Sequence, residues 1–332
     1  MIQENINLAT RNTFHLDANA RYFCEASCDD ELFDALALSR DQGLDIIVLG
    51  GGSNIVFTRD FDGLVISPAY KGINITGETV VIGAGENWHD MVRHCLEQGL
   101  SGIENLSLIP GCCGAAPMQN IGAYGQEFAE VFVELHAVRR ATGEKLRMSK
   151  EDCKFGYRDS IFKHELNDQL IITGVTLKLA RDFEPVIGYE GIKEILEENN
   201  VSSPTAIDVS DAVVSLRNRK LPNPAIQGNV GSFFKNPIVS SDLFSSLKEK
   251  WPQVSSNDLG DGQHKIHAAW LIEKAGMKGF SIGGAMVSEQ HALVIVNRRS
   301  ATISDVLTLC DEIQTRVKRE FDIHLEIEPT FC

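Results

Sequence analysis

Glycine clusters that follow apolar strands are the feature that most constrains the fold of this chain. Short β-branched runs in the first half give way to Gly50-Gly51-Gly52-Ser53-Asn54, to Gly83-Ala84-Gly85 and to the segment 110–125. Main-chain N–H groups after a strand can approach an anion closely where no Cβ stands in the way. The pattern predicts a fold of mixed α and β elements with an anion-binding surface built from backbone.

None of these clusters is a complete nucleotide-binding motif. The first lacks the last glycine of G-x-G-x-x-G because Ile55 stands there, and no cluster carries the Gly-Lys-Ser/Thr ending of a P-loop. Each cluster alone could equally be a turn. Their number favours a site in which backbone donors, with Ser53 and Asn54, neutralise a pyrophosphate.

The charge balance limits the classes of molecule that the chain could bind. Its 332 residues carry 31 Lys and Arg against 46 Asp and Glu, a formal net charge of -15, which argues against a protein that coats nucleic acid. Any anionic ligand must then be held by local donors. No segment approaches the roughly 18 apolar residues of a membrane span, and the first residues lack the order of a signal peptide. We therefore expect a cytoplasmic protein without membrane contact, and take a monomer as the default.

Eight cysteines are scattered along the chain without Cys-x-x-Cys spacing, which favours free thiols over a metal site. The adjacent Cys112 and Cys113 lie in a Gly-rich loop, where small residues fit a tight backbone path. A disulfide between neighbouring cysteines would be strained. We predict no redox role for the pair and no metal in the protein.

Hydrophobic periodicity gives the elements of the first two thirds of the chain. A Thr142-Gly143 turn predicts a hairpin. Predicted helices cover 29–42, 88–96, 189–198 and 208–219, and predicted strands cover 45–49, 63–66, 79–85, 130–138, 145–148 and 170–179.

Leu221-Pro222-Asn223-Pro224 is the clearest boundary, because two prolines around an asparagine stop a helix and a central strand alike. A new domain is predicted to begin there. Beyond it we predict strands at 230–234, 292–297 and 324–331, helices at 241–251, 266–275 and 303–321, and a polar loop at 255–263.

Four motifs together carry a family resemblance. They are Leu-Gly-Gly-Gly-Ser-Asn at 49–54, the segment 109–125 with its Met-Gln-Asn-Ile-Gly-Ala-Tyr-Gly end, Phe-Gly-Tyr-Arg-Asp-Ser at 155–160, and Gly-Asn-Val-Gly-Ser-Phe-Phe-Lys-Asn-Pro at 228–237. The chain resembles the UDP-N-acetylenolpyruvoylglucosamine reductases, flavoenzymes that complete UDP-N-acetylmuramate for bacterial cell walls. The resemblance runs from Asn12 to Glu328.

The resemblance implies an α+β fold with two FAD-binding subdomains of the vanillyl-alcohol-oxidase (PCMH) type, 1–69 and 70–220, and an α+β substrate-binding domain at 221–322. The last strand, 323–332, could return to the first subdomain. FAD and NADPH are the implied cofactors. The implied FAD-binding residues are Gly50, Gly51, Gly52, Ser53, Asn54, Gly111, Cys112, Gly114, Ala115, Gln119, Asn120, Gly122 and Ala123.

The chain departs from the family pattern in two places. Relatives often carry a hydroxyl and an aliphatic residue where Cys112 and Cys113 stand, so one flavin contact could be weaker here. Relatives also often have a tyrosine where Asn257 stands, which puts one nucleotide-sugar contact in doubt.

Three residues match the catalytic positions of the family. Arg158 would bind the substrate carboxylate, although a salt bridge to Asp159 or Glu165 is an alternative. Ser232 would donate a proton, although read alone it is more often an ordinary strand residue. Glu328 matches the catalytic glutamate, and strand alternation leaves Glu326 open because both would lie on one face.

The implied substrate-binding residues are Tyr189, Lys220, Asn236, Lys265 and Lys278. Tyr189 resembles the loop tyrosine that closes over the diphosphate in the first subclass of the family, or it could simply begin the following helix with an apolar contact. The lysines and Asn236 suit phosphates and amides. Each lysine could also be a solvated surface residue.

The implied activity is NADPH-dependent reduction of UDP-N-acetylglucosamine enolpyruvate to UDP-N-acetylmuramate, a step of peptidoglycan synthesis that serves cell wall biogenesis, cell shape and cell division in bacteria. One alternative is an FAD-dependent oxidase of the same fold that acts on a hydroxy acid or alcohol. Another is a catalytically silent nucleotide-sugar binder, which would tolerate loss of Arg158 and Ser232.

Overall fold

The structure, a computed structural model, describes residues 1–189, 191–298 and 300–332. The chain forms two compact units, each made of several chain segments. The first unit comprises Met1–Asn7, Asn19–Gly52 and Asp60–Arg219, and the second comprises Leu8–Ala18, Ser53–Arg59 and Lys220–Cys332.

Two sheets form the framework of the first unit. The four-stranded sheet has the order Ile2–Asn7, Asn19–Ala26, Phe61–Pro68, Ile46–Val48, with one antiparallel pair followed by two parallel pairs. The five-stranded antiparallel sheet has the order Lys145–Ser149, Phe132–Arg139, Leu170–Lys178, Thr79–Gly83, Ile73–Thr76. The predicted Thr142-Gly143 hairpin is confirmed by the pairing of the first two of these five strands.

Some helices of this unit cover the apolar faces of the sheets, whereas Ile192–Glu198 and Ala206–Lys220 pack mainly against each other. The bounds of the helices are Asp29–Gln42, Trp88–Glu97, Phe128–Val131, Lys150–Cys153, Ile192–Glu198 and Ala206–Lys220, with 3-10 turns at Glu104–Leu106, Cys113–Gln119 and Ile161–Lys163. Burial of apolar side chains is the main favourable term in such packing. Leu32 and Leu36 face the four-stranded sheet, whereas Trp88 and Met91 enter a core with Phe128.

Among its described residues, the second unit contains two further antiparallel sheets and three helices. The strands of one sheet are ordered Asn229–Ser232, Val294–Asn297, Ala285–Val287, Ser281–Ile282, and those of the other Ile238–Ser240, Gln263–Ile266, Ser256–Gly260. The helices are Ser241–Lys250, Ala268–Lys274 and Ile303–Phe321, and a short parallel pair joins Ile55–Val56 to Thr330–Phe331. A 3-10 turn at Ala9–Arg11 completes this unit.

Several predicted elements need correction. The segment predicted as a polar loop, 255–263, is mostly the strand Ser256–Gly260, because three residues with positive φ, Gly260, Asp261 and Gly262, form the turn of a hairpin with Gln263–Ile266. Its exposed polar side chains gave no alternation to detect. The helix predicted from 266 begins at Ala268, since Ile266 ends a strand.

The predicted last strand, 324–331, is also wrong over most of its length. Only Thr330–Phe331 and a single bridge from Ile327 to Phe234 pair with other strands. Two other elements begin later in the chain than predicted. The strand predicted from 130 begins at Phe132, after a helical turn closed by a capping box between Glu127 and Glu130, and the helix predicted from 189 begins at Ile192, after Gly191 at φ 96°.

Candidate functional site

The first and third glycine clusters lie against each other in the first unit. A Cβ on Gly51 would stand 2.6 Å from the Cα of Gly111, and one on Gly50 would stand 2.9 Å from the Sγ of Cys112. Contacts below 3.0 Å are not tolerated by real Cβ atoms, and here the obstacle at Gly51 is backbone. Only glycine therefore permits this approach of two loops.

The second cluster joins the same surface. The Gly114 N–H donates to the Ala84 carbonyl at 2.9 Å, and the Cys113 N–H donates to the Glu86 carbonyl at 2.9 Å. A Cβ on Gly114 would stand 2.5 Å from the Cβ of Ala84. The three clusters thus form one backbone-rich region, as a surface that binds an anion through main-chain N–H groups requires.

The Cys112 thiol lies inside this region. Burial raises the pKa of Cys112, although backbone N–H groups of Ala115, Gly51 and Gly114 contact the sulfur and oppose that shift. N–H groups of the first and third clusters therefore converge on one atom. All eight cysteines are free, as predicted.

The rest of the third cluster is held by the side chain of Asn120. This residue is buried, with φ 45°, at the end of the 3-10 turn Cys113–Gln119. Its Nδ2 donates to Glu127 Oε2 at 2.8 Å and to the Gly156 carbonyl at 3.1 Å, and its Oδ1 accepts from the Ala129 N–H at 2.9 Å. These bonds fix the loop before the short strand Gly122–Ala123.

Arg158 is brought to this loop from a tight turn. Gly156 and Asp159 exchange two backbone hydrogen bonds, and Arg158 between them has φ 53°. Its Nη2 donates to the Gly122 carbonyl at 2.7 Å. The predicted carboxylate-binding residue and the predicted FAD-binding loop are therefore in direct contact within the first unit.

The two acidic neighbours proposed as alternative partners of Arg158 have basic partners of their own. Asp159 pairs with His164 at 2.8 Å, and Glu165 pairs with Lys154 at 3.0 Å. Both pairs are partly exposed, so each stabilises the fold little.

Tyr189 lies against Tyr124 in the first unit. Their rings meet edge to face with centroids 5.0 Å apart. The fully buried Asn105 donates from Nδ2 to the carbonyls of Tyr124 and Val186, at 2.7 and 2.8 Å. One buried amide thus fixes the backbone of the third glycine cluster and of the segment that carries Tyr189.

Sequence reasoning missed Arg217 on the helix Ala206–Lys220. Its guanidinium contacts the Tyr124 hydroxyl and lies near that of Arg158, and its Nε is buried without a hydrogen-bond partner in the described structure. Burial lowers the pKa of Arg217. A sequence signal for Arg217 was present. Ser210, Val213 and Arg217 are spaced three to four residues apart, which puts them on one face of the helix, and Ser210 and Val213 are buried.

Ser232 and Glu328 come from adjacent backbone segments in the second unit. Ser232 ends a strand, and the Glu328 N–H donates to the carbonyl of the next residue, Phe233, at 3.1 Å. The carbonyl of Glu328 accepts from the Nδ2 of Asn54 at 3.4 Å, and the Asn54 carbonyl accepts from Thr330 N–H at 3.0 Å. Three predicted site residues therefore lie in one neighbourhood.

The choice between the two glutamates rests on their contacts. Glu326 is exposed and its carboxylate pairs with Lys235, whereas Glu328 is half-buried. Because the segment is not a continuous strand, the predicted alternation does not decide between them. Glu326 thus has a basic partner in Lys235, and the choice of Glu328 stays a prediction.

The predicted substrate-binding residues of the second unit occupy two places. Lys265 lies in the central strand of the three-stranded sheet, opposite Ile238 on one side and Asn257 on the other. Asn236 nearby uses its Oδ1 to accept from Ala268 N–H at 2.9 Å, at the start of a helix.

Lys220 and Lys278 lie around His291. Burial lowers the pKa of His291, and the two ammonium groups lower it further. Lys278 pairs with Glu273 at 3.4 Å. The carboxylate of Glu273 opposes the effect of the two lysines on His291.

Within the described ranges there is neither a cluster of metal ligands nor a membrane-spanning helix. No group of three or more His, Cys, Asp or Glu side chains could hold a metal ion. No helix there has the length and apolar character needed to cross a membrane.

Comparison with known proteins defines the class. Residues 20–149 match the family described as FAD binding domain, and residues 223–332 match the C-terminal domain of UDP-N-acetylenolpyruvoylglucosamine reductase. With its helices and antiparallel sheets, the chain is an α+β flavoprotein, as predicted.

The relatives are similar over their whole length. The UDP-N-acetylenolpyruvoylglucosamine reductase of Pseudomonas syringae pv. syringae is 46% identical over 99% of this chain and 98% of its own, and that of Pseudomonas aeruginosa is 44% identical over the same shares. The crystal structure of the Thermus caldophilus enzyme aligns with 100% of this chain and 99% of its own, at a TM-score of 0.69 and 26% identity. The chain belongs to the UDP-N-acetylenolpyruvoylglucosamine reductase family, which favours a reductase over the alternative oxidase.

Proposed function

We propose that this protein reduces the enolpyruvyl group of UDP-N-acetylglucosamine enolpyruvate with NADPH, giving UDP-N-acetylmuramate. Family membership over 99% of the chain supports the reaction. The structural observation that carries the proposal is the hydrogen bond between Phe233 and Glu328, which sets the proposed proton donor Ser232 beside the proposed glutamate.

The residues of the first unit fit FAD. The glycine contacts at Gly51, Gly111 and Gly114 support a backbone surface that could receive a pyrophosphate without basic side chains, and Gly50, Gly52, Ala115, Gln119, Gly122 and Ala123 continue the same segments. Ser53 and Asn54, the last two residues of the first cluster, are further candidate donors and belong to the second unit. Bound FAD would supply the electron transfer from NADPH to the enolpyruvyl double bond.

Three side chains would then act on the substrate. Arg158 would bind the carboxylate and stabilise the negative charge that develops on it during reduction. Ser232 would deliver its proton to the carbon next to the one that is reduced, and Glu328 would help to polarise the carboxylate. The turn at Arg158 supports this assignment, because it orients the guanidinium by a bond to Gly122.

Lys220, Lys278, Lys265 and Asn236 would bind the nucleotide-sugar, with phosphates near the first two. Tyr189 would close over the diphosphate, as in the first subclass of the family. The half-buried Lys265 and the effect of Lys220 and Lys278 on His291 support these roles. Asn257, opposite Lys265, would replace the tyrosine contact of many relatives.

The division of the first unit into subdomains 1–69 and 70–220, with a substrate-binding domain at 221–322, stays a prediction. So do a cytoplasmic location, a monomeric state and a role in cell shape and division. They accompany the proposed reaction, because a UDP-linked precursor of peptidoglycan is made and used inside the cell.

The test separates the two half-reactions of the FAD-loaded protein under anaerobic conditions. Ser232→Ala should bleach with NADPH at nearly the rate of the natural protein, while its reoxidation by UDP-N-acetylglucosamine enolpyruvate should slow by orders of magnitude. Ser281→Ala, in the edge strand of the same sheet, is the matched control and should leave both steps unchanged. Equal damage to both steps by Ser232→Ala would refute the proton-donor role.

The natural protein could also fail the test, and these outcomes do not depend on the role of Ser232. If FAD binds and bleaches with NADPH but the enol ether does not restore the oxidised band, the chain is a flavin oxidoreductase with another substrate. If no FAD binds, the proposed function is wrong at its first step.

A further inference from the structure

The strand that ends at Ser232 contains a β-bulge. Between Asn229 and Ser232 this strand has two residues, whereas the partner strand has only Ile295 between the residues opposite them. An extra residue of this kind shifts the alternation of side chains along a strand. The bulge therefore determines the face of the sheet on which the Ser232 side chain lies.

The residues on either side of the bulge show the effect of this shift. Val230 and Phe233, three residues apart, both enter the apolar cluster that contains Ile295. In a regular strand, residues two apart share a face, so Ser232 would lie on the same side as Val230. Without the bulge, the Ser232 hydroxyl would point into an apolar core. With the bulge, it lies on the face of Asn229.

Gly231 gives the bulge its conformation. Its φ is 71°, in the left-handed region that glycine alone adopts without strain. A Cβ at Gly231 would meet no atom within 4 Å, so the backbone angle, and not a lack of space, requires glycine. A bulge also removes its extra residue from the ladder of hydrogen bonds between the strands. The Gly231 N–H must therefore find its acceptor elsewhere.

The side chain of Asn229 supplies that acceptor. Its Oδ1 accepts from the Gly231 N–H at 3.0 Å, and its Nδ2 donates to the carbonyls of Pro222 and Gln227 at 3.1 and 2.9 Å. The residue is only 4% exposed, and a buried amide with such bonds is held in one orientation. One side chain thus fixes the bulge to the segment 222–227.

The main chain of Asn229 is held separately. Its N–H donates to the Thr13 carbonyl at 2.8 Å, and its carbonyl accepts from the Thr13 hydroxyl at 2.7 Å. Replacement of the side chain therefore leaves the strand attached at this point. The bond that it removes from the bulge is the one to Gly231, the residue immediately before Ser232.

We propose that Asn229 is a positioning residue, which holds the bulge at Gly231 and thereby orients the Ser232 hydroxyl toward the carbon that receives the proton. The inference rests on the proposed function, in which Ser232 is the proton donor. Asn229 acts through the backbone and not by contact with the substrate. A displacement of about 1 Å in a reacting group can slow a reaction about 100-fold, so the loss of one such bond is sufficient to be measured.

The first measurement follows the two half-reactions of the FAD-loaded protein under anaerobic conditions. Asn229→Leu keeps the approximate size of the side chain and removes its polar atoms. Reduction by NADPH should stay within about twofold of the natural rate, whereas reoxidation by UDP-N-acetylglucosamine enolpyruvate should slow about 10- to 100-fold. Unchanged reoxidation would overturn the proposal.

Asn12→Leu is the matched control. Asn12 belongs to the same unit, is also 4% exposed, and likewise donates two bonds to backbone carbonyls and accepts one from a backbone N–H. Its replacement should lower the melting temperature about as much as Asn229→Leu does, but should leave reoxidation near the natural rate. If both variants slow reoxidation equally, lost stability is the cause and the proposal is wrong.

A double variant separates positioning from a general structural role. If Asn229 acts through Ser232, Asn229→Leu should slow reoxidation no further in a protein that already carries Ser232→Ala. If the two substitutions slow reoxidation by the product of their separate effects, Asn229 acts independently of Ser232 and the proposal is overturned.

Gly231→Ala tests the bulge with Asn229 in place, and so decides the question even if Asn229→Leu does not fold. The alanine is strained at this positive φ, and reoxidation should slow while reduction by NADPH is retained. Gly99→Ala is its control, because Gly99 has φ 72° and an added Cβ there also meets no atom within 4 Å. It should lose similar stability and keep both rates. Natural reoxidation in Gly231→Ala would contradict the role of the bulge.

Failure of the proposed function is recognised separately. It would appear as absence of FAD binding or of turnover in the natural protein, or as natural reoxidation in Ser232→Ala. Failure of the positioning role leaves those results as expected and appears only in the variants of Asn229 and Gly231.

Discussion

Gly51 offers a direct test of the backbone surface, because its replacement adds one carbon at a place with no room. In Gly51→Ala the new Cβ would stand 2.6 Å from the Gly111 Cα and 3.3 Å from the Cys112 nitrogen. Both atoms are backbone, so no side-chain rotation can relieve the overlap. The two glycine segments must separate.

Overpacking of this kind typically costs about 1–3 kcal/mol. In a unit of this size, each kcal/mol corresponds to about 2–4 °C, so the melting temperature should fall by about 2 to 12 °C. FAD should also bind more weakly, because the N–H groups of the two segments move apart. Thermal unfolding without FAD and equilibrium titration with FAD measure the two effects.

Gly188→Ala is the control for the stability measurement. An added Cβ at Gly188 meets no atom within 4 Å, and its φ is not in the left-handed region. Its melting temperature should be unchanged or slightly higher, since alanine restricts the unfolded chain. If Gly51→Ala melts like Gly188→Ala and binds FAD like the natural protein, the close approach of the glycine clusters does not support the cofactor site.

Two further predictions concern stability. Asn105→Leu should destabilise the protein by about 1–3 kcal/mol in urea unfolding, because the Tyr124 and Val186 carbonyls lose their buried donor, and an unchanged midpoint would contradict this role. The pKa of Glu31 is lowered from 4.5 to about 2 by the Ser27 backbone N–H, then by the Ser27 hydroxyl and the N-terminal ammonium. Its stabilisation is therefore present above pH 4.5 and lost as the pH falls towards 2, so Glu31→Gln should flatten the pH dependence of stability in that range, and an unaltered slope would argue against it.

Both ends of the helices at 29–42 and 303–321 were predicted correctly, because the sequence features that begin and end these helices are local. Gly43 ends the first with φ 63°, and a capping box between Thr302 and Asp305 begins the second. The hairpin 256–266 was missed, since exposed polar strands lack the apolar alternation that marks a half-buried strand. Its pairing depends on a turn whose conformation only the folded backbone specifies.

The candidate site likewise has some features that the sequence predicts and others that it does not. Arg158, Ser232 and the glycine clusters stand in short motifs that can be recognised in the sequence alone. The convergence of Gly51 on Gly111 could not be predicted, because it joins segments far apart in the chain. The choice of Glu328 over Glu326 stays a prediction, although Glu326 is engaged in an ion pair with a residue outside its own segment.

Arg217 shows most clearly why sequence reasoning stops short of the site. Arg217 and Arg219 stand two residues apart on one helix and are chemically identical, yet Arg219 is exposed beside Glu198 while the Nε of Arg217 is buried without a partner. The difference comes from Tyr124 and Arg158, which belong to other segments. The folded chain, which brings these segments together, therefore decides which of the two arginines is enclosed.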